Sequence, residues 1–236
     1  MKLAHLGRYI RTNSVTFDDK YVTKRFRQVL RYYPQMLWGT KERKPYQPPE
    51  KRYMRDSRVS MRLCSQGLNV PEIVDYSDDE LWFRFVKLDI DSRKDDLIAV
   101  FEDPALTFDE KLQYYREALE LLKAIHTAGE THGDTYPKNF FRLRGEDRNR
   151  DGRVYTCDFE FERDSPLPEV TDIMILTGDS ISIIRNGHPE EYVTFNILNI
   201  VSDVFGSLPS YPFDERDIAF FERRFGTDQR FFDYFS

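Results

Sequence analysis

One segment near the start of the chain alternates apolar and polar residues with a period of two. In residues 21–26, Val22 and Lys24 fall on one face and the residues between them on the other, which is typical of a β-strand. The pair Asp18-Asp19 predicts a hairpin turn leading into this strand. The pattern predicts that the chain begins with a β-rich segment.

Proline and glycine residues divide the next part of the chain. Residues 27–49 contain four prolines and Gly39 as structure breakers and are predicted to be irregular. Residues 50–66 predict a helix that ends at Gly67. Residues 70–74 and 81–86 then predict two strands on either side of a polar turn.

In the second half the apolar residues recur at steps of three and four. This spacing predicts one buried helix, Phe108–Thr127, that ends near Gly129. Residues 139–143 and 154–159 predict two short strands, and the chain from Thr171 onward is predicted to be mainly helical.

Strands come first and helices later, with the change near residue 90, and this order predicts two lobes of unlike class. The predicted fold class is α+β: residues 1–88 form a small antiparallel β lobe with one helix, and residues 89–236 form a mainly helical lobe. A chain of 236 residues that is 40% hydrophobic and 15% aromatic is long and apolar enough to bury such a core.

The charge is divided unevenly along the chain, although the net charge is only −6. Residues 1–63 hold 16 Lys and Arg against 5 Asp and Glu, so the acidic residues concentrate in the remainder. A basic first part suits an anionic ligand, such as nucleotide phosphates, a phosphorylated glycolipid, a membrane face or nucleic acid. Ordinary solvated helix faces explain the same composition.

Compartment signals are few. No run approaches 18 apolar residues, and the N-terminus lacks the apolar region of a signal peptide. Cys64 and Cys157 show neither metal-binding spacing nor a disulfide framework. A cytoplasmic location is therefore expected, with any membrane association peripheral and electrostatic, through the basic first part at the inner face of the membrane.

Two short segments carry the chemistry. His132 to Asn139 reads His-Gly-Asp-Thr-Tyr-Pro-Lys-Asn, and Asp158-Phe159 follows after a predicted hairpin. Moving a phosphoryl group requires one carboxylate to accept or orient the acceptor hydroxyl proton, and hard oxygen ligands to hold Mg²⁺ against the phosphates. An aspartate, an asparagine five residues on and a later Asp-Phe supply that set.

These residues resemble those of protein-kinase-like phosphotransferases. Residues 126–134 look like the segment entering their catalytic loop, in a superfamily that includes the lipopolysaccharide core sugar kinases (the Kdo and heptose kinase family), aminoglycoside and choline kinases, RIO kinases and the small kinase of the KEOPS complex. Glu160 stands where eukaryotic protein kinases have glycine, as in small-molecule and sugar kinases. The layout of residues 21–75 is similar to the sugar-kinase family, and the whole resemblance spans about residues 20–175.

The resemblance implies a bilobal kinase-like fold that uses ATP and Mg²⁺. It implies that Asp134 is the catalytic base, that Asn139 and Asp158 bind the metal, and that Lys24 contacts the α- and β-phosphates of the nucleotide. Asp56 stands where the superfamily has the helix carboxylate that pairs with this lysine.

Alternatives remain at several of these positions. Glu50 is the other candidate partner of the lysine, and a solvated strand lysine or a surface helix aspartate would explain residues 24 and 56 without a site. His132 is expected to make a structural hydrogen bond. Asp172 is expected either to brace the catalytic loop or to cap a helix.

The sequence departs from the superfamily pattern in its phosphate loop and its catalytic loop. No glycine-rich loop precedes Lys24, so residues 11–14 would have to cover the phosphates. Gly133 replaces the arginine that commonly precedes the catalytic aspartate, which predicts no activation-loop phosphorylation switch. No Ala-Pro-Glu-like segment follows Asp158, which favours a small or glycan acceptor over a docked peptide.

A second motif overlaps the same region. Residues 147–152, with Asp158 at the twelfth position, fit the spacing of a calcium-binding loop. The final ligand is aspartate instead of glutamate, and the flanking segments predict strands instead of helices. A polar hairpin turn accounts for the same residues.

Three functions compete. The leading hypothesis is an ATP- and Mg²⁺-dependent kinase whose acceptor is a sugar hydroxyl of a lipopolysaccharide core, another glycan or glycolipid, or a small molecule. A Ser/Thr protein kinase of the RIO or KEOPS type, with a protein substrate, is the alternative enzyme. A pseudokinase that binds nucleotide as a scaffold is the alternative outside enzymes.

Overall fold

The computed structural model describes residues 13–27, 47–91, 94–143, 154–159, 161, 165–185, 187–227 and 229–236. Several sequence predictions lie wholly or partly outside these residues. They are the beginning of the β-rich first segment, the role of Arg11 and Thr12 over the phosphates, the irregular segment 27–49, the calcium-loop alternative at 147–152, and the comparison at Glu160.

The first part of the described chain is a four-stranded antiparallel sheet with one helix. The strands are β1 Asn13–Phe17, β2 Tyr21–Phe26, β3 Ile73–Ser77 and β4 Trp82–Val86, and the helix is α1 Pro49–Ser65. The spatial order of the sheet is β1-β2-β4-β3, and every pairing is antiparallel.

The second part is mainly helical. Its helices are α2 Leu97–Glu102, α3 Phe108–Thr127, α4 Pro168–Ile184, α5 Glu190–Phe205, α6 Glu215–Phe225 and α7 Gln229–Phe235, and a two-stranded ribbon is formed by β5 Phe140–Arg142 and β6 Val154–Thr156. The predicted α+β fold class is confirmed, because a small antiparallel sheet with one helix precedes a mostly helical part. The exact lobe boundary at residue 88 stays a prediction.

Strand β2 has the bounds and the facing that the alternation predicts. Its buried residues are Val22, Lys24 and Phe26. The Asp18 carboxylate forms the turn before it by accepting the backbone N–H groups of Lys20 and Tyr21 at 2.9 and 2.7 Å. Since β2 is an inner strand, its buried face turns Lys24 toward the interior of the molecule.

Helix α1 connects the sheet to the helical part. Toward the sheet, Tyr53 packs against Phe26 and Phe83, with ring centroids 5.7 and 6.4 Å apart. Toward the helical part, Val59 and Leu63 are buried in one apolar cluster with Val70, Ile125 and Phe159. Burying apolar surface on two sides ties this helix to both halves of the molecule.

Three predicted strands are shorter or shifted. The strand predicted at residues 70–74 begins only at Ile73. Pro71 has no N–H group to donate to a neighbouring strand, and Val70 is buried against α1 instead. Residues 139–143 give only Phe140–Arg142, because Asn139 closes a 3₁₀ turn. Residues 154–159 extend only to Thr156, because Asp158 has a positive φ of 76°.

Helix α3 matches its prediction and begins with a capping box, in which Thr107 and Glu110 bond each other's backbone N–H groups. The core around it contains α4, which is buried along most of its length. Gly178 of α4 lets α6 approach closely, since a Cβ there would lie 2.6 Å from a ring carbon of Phe225. Among the described residues, no helix combines the length and apolar character needed to cross a bilayer.

Candidate active site

The ammonium group of Lys24 is held between two carboxylates from distant parts of the chain. Lys24 Nζ lies 2.6 Å from Asp56 Oδ2 of α1 and also bonds Asp158, which follows β6. The lysine is 8% exposed, so it is not a solvated strand residue. A buried ammonium between two carboxylates is the usual way in which proteins offset the cost of burying a charge.

Asp56 is the residue through which α1 enters this network. It is 1% exposed, so it is not a surface residue of the helix. One oxygen accepts from Lys24, and the other accepts the backbone N–H of Phe159 at 3.1 Å. Glu50, the alternative partner, lies exposed at the start of α1. The shorter aspartate side chain reaches the lysine because α1 packs directly on the sheet.

The backbone at Asp158 has left-handed geometry, with φ +76°, which is uncommon for a residue other than glycine. Burial alone would raise the pKa of its carboxyl group, but the Lys24 ammonium, the hydrogen bond to it and the Lys138 charge lower the pKa to about 2. Burial raises the pKa of the Asp56 carboxyl, the Lys24 charge opposes this rise, and the Asp158 charge adds to it. Asp158 is therefore ionised throughout the neutral range.

Asp134 and Asn139 are fixed to each other and to the strand that precedes Asp158. The Asn139 side chain donates its Nδ2 to the carbonyl oxygen of Asp134 at 2.8 Å. The Asn139 carbonyl oxygen accepts the N–H of Cys157 at 3.2 Å and the hydroxyl of Thr156 at 2.8 Å. The charges of Asp134, Asp158, Asp56 and Lys24 all act on the Cys157 thiol, whose pKa is raised mainly by burial. The predicted site residues therefore lie together.

The donor set suits Mg²⁺. Asp158 presents an ionised carboxylate, and the hydrogen bond from Asn139 Nδ2 leaves Oδ1 as the amide atom able to bind a cation. Mg²⁺ is commonly held by one or two protein oxygens together with substrate phosphates and water. The residues at this position fit that pattern.

A fully buried aspartate holds the loop that carries Asp134. Asp172 of α4 accepts the backbone N–H groups of His132 and Gly133 at 2.8 and 3.1 Å, and its carbonyl oxygen accepts the hydroxyl of Thr135. The residue lies inside the helix, five positions from its start, so it braces the loop and does not cap the helix. His132 makes the expected structural bond, with Nε2 2.7 Å from Thr156 Oγ1.

Arginines of α1 add contacts that the sequence does not suggest. Arg55 donates to the carbonyl oxygens of Phe161 and Thr131 at 2.8 and 2.7 Å. Two helical turns further along α1, Arg62 donates hydrogen bonds to a carboxylate oxygen of Glu130 at 2.8 Å and to the carbonyl oxygen of Ala128. These bonds attach α1 to the segment before Asp134 and to the segment after Asp158.

A half-buried carboxyl beside Asp134 was also missed by sequence analysis. Burial raises the pKa of Asp179 to about 6, the charges of Arg224 and Lys138 oppose this shift, and the charge of Asp134 adds to it. Asp179 lies within a run of α4 that is otherwise apolar or small, so neither spacing nor motif marks it. A charged residue within an otherwise apolar stretch of the predicted helical part was the available signal.

Replacing Asp179 with asparagine should stabilise the protein in a pH-dependent way. The folded-state pKa of about 6 lies above its ordinary value of 3.8, so ionisation above pH 6 costs folding free energy that is absent below the lower value. We expect Asp179→Asn to raise the free energy of unfolding by about 1–2 kcal/mol near pH 7.5 and to change it little near pH 4. Urea unfolding of both proteins at the two pH values measures this difference, and an equal change at both would contradict it.

Comparison with known proteins adds structural likenesses only. No family model and no curated protein matches the chain. A double mutant of the Mycobacterium tuberculosis PknI kinase domain is 18% identical, with 93% of this chain and 85% of that chain covered and a TM-score of 0.49. WaaP in complex with acyl carrier protein is 14% identical, with 94% and 90% covered and a TM-score of 0.45.

A third similar structure is the Rio2 kinase complex with ADP, Mg²⁺ and phosphoaspartate from Chaetomium thermophilum, 12% identical, with 98% of this chain and 67% of that chain covered and a TM-score of 0.34. The sheet, α1 and the helical part of this chain follow one another in the order that the sequence predicts. The roles of individual residues rest on the geometry described above.

Proposed function

We propose that this chain is an ATP- and Mg²⁺-dependent phosphotransferase whose acceptor is a hydroxyl group, in the first instance a sugar hydroxyl of a lipopolysaccharide core or another glycan. The observation that supports this proposal is the single ion network of Lys24, Asp56 and Asp158, which adjoins the hydrogen-bonded pair Asp134 and Asn139. Five predicted residues from four separate segments of the chain contribute to this arrangement.

Lys24 binds the α- and β-phosphates of the nucleotide in this proposal. Asp56 keeps the ammonium group charged and directed, because it holds Lys24 with one oxygen and the Phe159 N–H with the other. Phosphate binding replaces part of the attraction between Lys24 and Asp158, which releases that carboxylate for the metal ion. The ion pair of Lys24 and Asp158 therefore keeps both side chains in place when no nucleotide is bound.

In this proposal, Asp158 and Asn139 would hold Mg²⁺. When bound, the metal ion neutralises charge on the β- and γ-phosphates. The left-handed backbone at Asp158 directs this carboxylate, and the Asn139 amide is oriented by its bond to the Asp134 carbonyl oxygen. Side chains fixed in this way cost little reorganisation when the nucleotide binds.

Asp134 orients the acceptor hydroxyl and receives its proton. The acceptor oxygen forms a bond to the γ-phosphorus atom as the bond from that atom to the β-phosphate oxygen breaks, and the hydroxyl proton passes to the Asp134 carboxylate. The loop that presents this carboxylate is fixed by Asp172 through two backbone N–H groups. Positioning of this kind supplies a large share of phosphoryl-transfer catalysis.

Nucleotide binding tests the proposal first. We expect millimolar ATP with Mg²⁺ to raise the thermal unfolding temperature, because a ligand that binds only the native state stabilises it. Labelled ATP should then show acceptor-dependent turnover with glycan acceptors. The absence of any shift would contradict the proposal, and a shift without turnover on any acceptor would indicate a nucleotide-binding scaffold.

Replacing Lys24 with arginine tests the assigned phosphate contact while keeping the positive charge. A guanidinium group is larger and planar, so it does not fit between the two carboxylates as the ammonium does. We expect Lys24→Arg to weaken ATP binding about tenfold or more, since each 1.4 kcal/mol is a factor of ten. The matched control is Lys20→Arg at the exposed turn before the same strand, which should leave binding unchanged. Equal affinities of the two variants would contradict the contact.

A further inference from the structure

Two cationic side chains lie against the buried ring of Tyr136, two residues after Asp134, and their charges act on the carboxyl of Asp179. We call Tyr136, Lys138, Asp179 and Arg224 the Tyr136 cluster. Tyr136 is 6% exposed and stands two residues after Asp134, and its carbonyl oxygen accepts the backbone N–H of Asn139 at 2.9 Å. The ring therefore has a fixed position relative to the loop that carries the proposed base.

Two cationic groups lie against this ring. The Arg224 guanidinium carbon is 4.6 Å from the ring centroid, and Lys138 Nζ is 5.5 Å from it. Both distances are within the range of cation–π attraction. The ring of Tyr136 is buried, whereas Lys138 and Arg224 are exposed residues. The ring therefore holds two positive charges at the surface, beside the proposed site of phosphoryl transfer.

The approach of α6 to α4 brings Arg224 to this place. Gly178 allows Phe225 to pack against the backbone of α4, and the preceding residue, Arg224, then lies near the following one, Asp179. The charges of Arg224, Lys138 and Asp134 all act on the Asp179 carboxyl. Charged residues of the loop, α4 and α6 therefore interact electrostatically with one another.

We propose that the Tyr136 cluster binds an anionic group of the acceptor, a phosphate ester or a carboxylate, and thereby places the acceptor hydroxyl beside Asp134. Two cations fixed by one ring suit a tetrahedral or planar anion, because charge-assisted hydrogen bonds to such groups are strong and directional. This inference rests on the proposed function and narrows the acceptor to molecules that already carry a negative charge.

Inorganic phosphate is the probe for the experiment, measured by isothermal titration calorimetry in the presence of saturating Mg²⁺ and a non-hydrolysable ATP analogue. The analogue fills the position of the γ-phosphate, so phosphate that still binds occupies a different site. We expect Arg224→Gln to weaken this binding about tenfold or more, in line with one lost charge-assisted hydrogen bond. The matched control is Arg223→Gln, an exposed arginine of the same helix that changes net charge equally and should leave the affinity as in wild type.

The outcomes separate the two proposals. If the ATP analogue itself fails to bind, the proposed function fails, while phosphate binding to the cluster can still be measured without it. If the analogue binds and displaces phosphate, the cluster holds the nucleotide's own γ-phosphate and the inference is overturned. Equal phosphate affinities of Arg224→Gln and Arg223→Gln would also overturn it.

Discussion

Asp134→Asn is expected to lower phosphoryl transfer by about a hundredfold to ten-thousandfold while leaving ATP binding unchanged, which is the range for loss of a positioned acid–base group. Asparagine keeps the shape of the side chain but accepts no proton from the acceptor hydroxyl. The contacts that fix the residue survive the change, because its backbone N–H bonds His132 Nδ1 and its carbonyl oxygen accepts from Asn139. The loss should therefore appear in kcat and not in the affinity for nucleotide.

Steady-state turnover with labelled ATP and a direct measurement of ATP affinity check this result together. Asp79→Asn is the control, since Asp79 is an exposed aspartate of the turn between β3 and β4. Turnover of the Asp134 variant within a few-fold of wild type would remove the residue from the reaction. Loss of ATP binding in the same variant would show that the substitution acts on the nucleotide site instead.

Asp158→Asn is expected to abolish the effect of Mg²⁺ on ATP binding and to lower turnover by about a hundredfold or more, because metal-ion stabilisation is worth several kcal/mol. Asparagine tolerates the left-handed backbone found at this position nearly as well as aspartate does. The variant therefore keeps the local geometry and removes the charge that is proposed to bind the cation. Calorimetric titration of ATP with Mg²⁺ and with a chelator measures the metal dependence.

The same substitution should leave stability almost unchanged, which distinguishes it from a folding defect. The Asp158 carboxylate is stabilised by Lys24, so its loss removes a favourable contact, but Asp56 then keeps the ammonium group without a competing charge. We expect the two effects to offset each other to within about 1 kcal/mol in the free energy of unfolding. A variant that still binds ATP more tightly with Mg²⁺ would contradict the assignment of Asp158 as a metal ligand.

The parts of the site that are close in sequence could be predicted from the sequence, because local geometry brings them together. Asp134 and Asn139 are joined by one tight loop, and Asp158 follows β6, the strand that pairs with the strand after Asn139. The alternation in β2 put Lys24 on the same face as Val22, and the structure shows that this face is buried. Short spacing and strand periodicity are therefore sufficient for these positions.

Contacts between distant segments could be anticipated only through the resemblance. The choice of Asp56 over Glu50 depends on how α1 rotates against the sheet, and the bond from Phe159 N–H to Asp56 joins residues 103 positions apart. The spacing of apolar residues fixes a helix but not the angle at which it packs. The pairing of Lys24 with both carboxylates follows from that packing.

The Tyr136 cluster had no sequence signature. Asp179 lies in a helix that is buried almost throughout, and Arg224 comes from an amphipathic helix where a charged residue is ordinary. Their meeting depends on the close contact between Gly178 and Phe225. A single small residue that permits an approach between two helices has no pattern that distinguishes it from other glycines in a sequence.

Arg55 and Asp56 are consecutive residues of α1 with different tasks. Asp56 accepts a hydrogen bond from the Lys24 ammonium group. Arg55 donates hydrogen bonds to the carbonyl oxygens of Thr131 and Phe161, which lie before and after the loop that carries Asp134. Because both side chains belong to one rigid helix, a displacement of that helix breaks both sets of bonds at the same time. A shift of α1 would therefore couple the position of the Lys24 ammonium group to the order of the loop that carries Asp134.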